Sequence, residues 1–77
     1  NAEPLLGLAS CLRKKNIKLA LELAKKALIK DPRYVNYDYR KEQLWGENLQ
    51  NSTEILLQND QLQQDVILAK TKTNGSF

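Results

Sequence analysis

The sequence predicts an all-α protein, an antiparallel helical hairpin followed by a long amphipathic helix and a short C-terminal helix, and three observations predict it. Ala20, Leu21, Ala24, Ala27 and Leu28 recur at helical spacing and stop at Asp31-Pro32, where the residue before a proline is pushed out of the helical region. Leu5, Leu8, Ala9 and Leu12 repeat that spacing upstream. Downstream, Tyr37, Leu44, Trp45, Leu49, Ile55 and Leu56 oppose a face of Gln43, Gly46, Glu47, Gln50 and Glu54, which is the pattern of an amphipathic helix.

Each element follows in order. Pro4 suits a first helical turn, where its missing N–H has no intrahelical partner, so a helix is expected over about 4–15. Asn16 separates it from a second helix over about 17–30, and so tight a connection makes the pair antiparallel. The third helix is expected over about 36–58, with Gly46 inside it as a tolerated surface glycine. Asn59-Asp60 interrupts that pattern and caps a short helix over about 61–70, with Leu62, Val66, Ala69 and Ile67 inward, and 71–77 reads as a frayed tail.

Composition narrows the function classes. A chain of 77 residues makes one small domain, which buries only roughly 60% of its unfolded surface. The chain contains no Met and reads as a segment of a longer polypeptide. No apolar run approaches the roughly eighteen residues of a membrane span, and no signal-peptide pattern opens the chain, so a soluble cytoplasmic protein is expected. The lone Cys11 cannot form an internal disulfide and is expected as a small buried residue. Without histidine, a cysteine pair, a glycine-rich phosphate loop or acidic residues at metal spacing, the sequence indicates no enzyme, no metal and no cofactor.

Charge is uneven. Seven cations against two acids give residues 1–30 a net +5, and five against seven give residues 31–77 a net −2. Arg13, Lys14 and Lys15 close the first helix and Lys25, Lys26 and Lys30 the second, where cations offset the partial negative charge of a helix C-terminus. Arg33, Tyr34, Tyr37, Tyr39, Arg40 and Lys41 interleave aromatics with cations, as nucleic-acid binders do, but Asp31, Asp38 and Glu42 dilute them. Nine Asn or Gln residues crowd positions 43–64 against three in the first 42, as on solvated helix faces.

Residues 1–34 resemble one tetratricopeptide repeat, a unit of about 34 residues folded as helix, turn, helix. The family's paired small residues match Ala20 and Ala27, its basic-Ala-Leu matches Lys26-Ala27-Leu28, and its stop matches Asp31-Pro32. The first helix departs from it: Pro4, Gly7-Leu8 and Cys11 stand where Trp, Leu-Gly and Tyr are usual, and Ala24 replaces an aromatic. Residues 35–77 look similar to the segment after the last repeat in bacterial proteins of this kind, a cap or a divergent second repeat lying against helix two.

The resemblance implies a non-catalytic protein–protein interaction module, the terminal repeat and cap of a larger bacterial scaffold. Its groove would be lined by Leu5, Ala9, Leu12 and Arg13. Leu5 and Ala9 replace the lysine and asparagine with which relatives clamp a C-terminal carboxylate. The occupant would be a protein or peptide partner or an adjacent repeat of the parent chain. Leu19, Leu23 and Ile29 pose the same question on helix two, where an uncovered patch favours self-association. The alternatives are a small basic nucleic-acid-binding domain and a structural homodimerisation module.

Overall fold

Asparagine starts most of the helices. In the computed structural model, which describes residues 1–73, α1 spans Ala2–Leu12, α2 Ile17–Lys30, α3 Tyr37–Glu42, α4 Glu47–Leu57 and α5 Gln63–Thr73, with 3-10 turns at Pro32–Val35 and Asp60–Leu62. The Asn1, Asn16 and Asn36 side chains accept from the backbone N–H groups of Glu3, Leu19 and Tyr39 at 3.3, 3.2 and 3.1 Å. Asp31 and Asn59 do the same for the two 3-10 turns. Each bond satisfies a donor that has no partner in the first helical turn. The described residues contain no strand.

Two helices packed on each other stand where the hairpin was expected, with shifted ends. α1 starts at Ala2, which leaves Pro4 in its first turn, and stops at Leu12. Residues 13–15 turn instead, with Lys15 and Asn16 N–H groups donating to the Leu12 carbonyl at 3.0 and 2.8 Å, which frees the Asn16 side chain to cap α2. Ala20, Leu21, Ala24, Ala27 and Leu28 are buried, as their spacing predicts. α1 differs: it buries Ala2, Leu6, Ala9 and Ser10, whereas Leu8 is 51% exposed. Cys11, expected inside, is exposed.

The single helix expected over 36–58 is two helices. α3 ends in a loop whose Leu44 N–H donates to the Lys41 carbonyl at 3.0 Å and whose Trp45 N–H donates to the Arg40 carbonyl at 3.1 Å. This pair of hydrogen bonds closes a helix on a left-handed residue, and Leu44 takes that conformation at φ 67°. Gly46 then precedes α4 as its N-cap and is not interior to any helix. The apolar arc read across this break survives only in part: Leu56 is buried and Trp45 and Leu49 are half-buried, whereas Tyr37, Leu44 and Ile55 are exposed.

α1 and α2 form one layer, and α4, α5 and the two 3-10 turns lie across one side of it. α4 packs on α1, and the cover over α2 comes from α5 and the Pro32–Val35 turn. That corrects the expectation of a third helix lying against helix two. Leu62, Val66 and Ala69 face inward but Ile67, expected with them, is exposed, one position round the helix from Val66; α5 runs on through Thr73, so 71–73 are helical. The remainder of the expected tail, 74–77, lies outside the described residues.

Candidate functional site

The first helix carries two apolar stripes; one fills the core and the other meets only its edge. Ala2, Leu6 and Ala9 are buried and continue into Ser10, whose hydroxyl lies 2.7 Å from that of Thr53 on α4. At 100° per residue, Leu5, Leu8 and Leu12 stand roughly 140–160° round the helix from Ser10. Leu5 and Leu12 are half-buried, packed at the edge of the core, and Leu8 is open.

α2 repeats this division. Leu28 and Ile29 line a cleft with Leu68 and Ala69 of α5, which fixes the side of α2 that faces the second layer. Leu19 and Leu23 stand roughly 140–180° round from Leu28. Leu19 is exposed and Leu23 half-buried. Both leucine stripes therefore flank the α1–α2 seam on the side turned away from α4 and α5. Lys26 and Lys30 extend the α2 stripe at the same helical spacing, and both are exposed.

Of the four groove positions expected from sequence, Leu5 and Leu12 share this outer face. Ala9 is fully buried in the core. Arg13 lines an open dent of about 280 Å³ with Ser10, Lys14 and Ser52, so it stands toward α4, apart from the two leucines.

The second layer, on the opposite side, is held together by polar groups that the sequence reading did not find. Arg40 is fully buried; its Nε donates to Gln50 Oε1 at 2.7 Å, its Nη1 to the Tyr34 carbonyl at 2.8 Å, and its Nη2 pairs with Glu54. Gln50 in turn donates to the Tyr37 carbonyl at 3.0 Å, joining α4 to the start of α3. Burial depresses the Arg40 pKa and the Glu54 carboxylate works against that; a guanidinium so far from neutral pH keeps its charge. Among the described residues, no buried side-chain N or O atom lacks a partner.

A second polar clasp ties α1 to the loop. Glu3 Oε2 accepts from Trp45 Nε1 at 3.2 Å and from the Tyr34 hydroxyl at 3.4 Å. Burial, and then the Glu3 charge, push the Tyr34 phenol up to about 12. Tyr39 packs edge-on to Tyr34 with ring centroids 5.0 Å apart, and Arg33 lies 4.9 Å over the Tyr39 ring. Arg33 also makes a two-bond pair with Asp31, whose carboxyl it holds below the usual range. Much of the aromatic–cation run is thus engaged in building the corner.

Sequence signals for these groups were weak. Gln50, Thr53 and Leu57 share an inward stripe of α4 at helical spacing, but a search for apolar periodicity passes over a stripe that begins with an amide and a hydroxyl. Among the described residues no three His, Cys, Asp or Glu side chains are placed to hold a metal ion, and no helix is long and apolar enough to cross a membrane. No family model, curated protein or solved structure matches the chain.

Proposed function

We propose that this chain is a non-catalytic protein–protein interaction module, similar to a terminal tetratricopeptide hairpin and its helical cap in a larger bacterial scaffold. The observation that carries this reading is the leucine stripe of α1. Its most regular apolar row, Leu5, Leu8 and Leu12, points away from the second layer while Ala2, Leu6 and Ala9 fill the core. Together with Leu19 and Leu23 it makes a contiguous apolar face on a rigid pair of helices, the kind of patch that marks an interaction site. The seam beneath is shut by Ala20, Ala24 and Ala27, which are fully buried, so the face has a firm support.

The cap acts on the other side. α4 and α5 cover the inner face of the hairpin, leaving one open face, as a terminal element of a repeat array would. A photo-crosslinking residue placed at Leu8 should give adducts with a protein in extracts of the source cell, whereas the same residue at Gln64, exposed on α5, should give few. Equal labelling at both positions, or none at Leu8, would remove the interaction reading.

A further inference from the structure

The geometry points to one class of occupant for the outer hairpin face: an amphipathic helix with a leucine-type stripe and acidic residues at one end. This rests on the interaction reading above and adds the partner's chemistry. The row Leu19, Leu23, Lys26, Lys30 changes character along its length, apolar in its first half and cationic in its second. Because α1 and α2 are antiparallel and joined at 13–16, the cationic half lies beside the start of α1, near Leu5, and the apolar half beside Leu12. Eleven residues of rise from Leu19 to Lys30 give a face about 16 Å long, which suits about three turns of a docked helix.

Charge selects among possible occupants. Lys26 and Lys30 form no ion pair, since the pairs among the described residues are Arg33–Asp31 and Arg40–Glu54; Glu22 stands one turn before Lys26, and no acid stands near Lys30 on α2. The α1 row beside them, Leu5, Leu8 and Leu12, contributes no acid, and Glu3 is committed to Trp45 and Tyr34 on the other side of the helix. The cationic end is therefore open to carboxylates from outside. A second copy of this chain would bring the same lysines and leucines and supply no carboxylate row on that face, so it matches the apolar half alone. An acidic amphipathic helix matches both halves, with charge fixing the direction in which it lies.

Two synthetic peptides test this against the full chain. Both are helix-stabilised, about twelve residues long, with leucines at i, i+3 and i+7; one carries glutamates at one end and the other carries lysines at those positions. Fluorescence anisotropy should show the glutamate peptide binding at least about tenfold more tightly, with the advantage shrinking as salt rises. Lys26→Glu with Lys30→Glu, two exposed sites that leave the core untouched, should reverse the preference, and Leu8→Asp should weaken the glutamate peptide at least about tenfold with helicity retained. Equal binding of the two peptides, or a preference unmoved by the charge reversal, would overturn the proposal. Binding of neither peptide while the Leu8 probe still gives adducts would overturn the partner chemistry and leave the interaction reading standing. Sedimentation showing a concentration-dependent dimer that excludes the peptide would assign the face to a second copy and overturn it as well.

Discussion

The two sides of the hairpin are built on different principles. On its seam, α1 meets α2 through fully buried alanines at Ala9, Ala20, Ala24 and Ala27, an apolar contact without hydrogen bonds. Toward the second layer the joints are directional: Ser10 with Thr53 and Glu3 with Trp45 cross from α1, and within that layer Arg40 ties α3 to Gln50 and Glu54 of α4 and to the Tyr34 carbonyl. The Gln63 side chain likewise donates to the Leu57 and Asn59 carbonyls at 2.9 Å, closing the end of α4. Apolar packing rewards any close fit, whereas a buried hydrogen-bonded group is satisfied in one arrangement only. The polar side therefore fixes where the cap sits, and the apolar surplus of the hairpin is left facing outward.

The largest effect should come from the polar side. Arg40→Met removes the guanidinium and strands the Gln50 amide oxygen and the Tyr34 carbonyl, at a cost of about 3 kcal/mol in urea unfolding. A loss below about 1 kcal/mol would show that these bonds do not hold the second layer together. On the seam, Ala24→Leu forces extra volume between helices in close approach and should cost about 2 kcal/mol. If the protein absorbs that change, the seam is loose and the contrast between the two sides fades. The smallest effect is a gain. Leu44 is 90% exposed and sits in a left-handed conformation that costs a non-glycine residue about 1 kcal/mol or more. Leu44→Gly should therefore stabilise the chain by about 0.5 kcal/mol after the added freedom of the unfolded glycine is counted, readable as a small rise in melting temperature.

The same contrast decides what was legible from sequence. α2 could be read because its buried positions are alanines and leucines at regular spacing, closed by Asp31-Pro32. α1 misled because it has two apolar stripes: the more regular one is the outer, and Leu6, the larger contributor to the core, belongs to the other. The 36–58 segment misled for a different reason. Three of its five buried positions, Arg40, Gln50 and Thr53, are ones no hydrophobic pattern selects, while Leu44 and Ile55 completed an apparent stripe across a break. Leu44 offered no warning of that break, because the left-handed position after a helix is usually glycine and the glycine lies two residues later, where it precedes α4 instead. The four groove candidates came from the family resemblance; Leu5 and Leu12 share the outer face and Ala9 and Arg13 do not, since only the position of α4 shows which side of α1 is covered.

Methyl NMR of the leucines during titration with the glutamate-ended, leucine-striped peptide tests the central claim most directly. Resonances of Leu5, Leu8, Leu12, Leu19 and Leu23 should shift together, while those of Leu56, Leu57 and Leu62 in the covered core stay in place. Shifts confined to α4 and α5, with the hairpin leucines unmoved, would contradict the account.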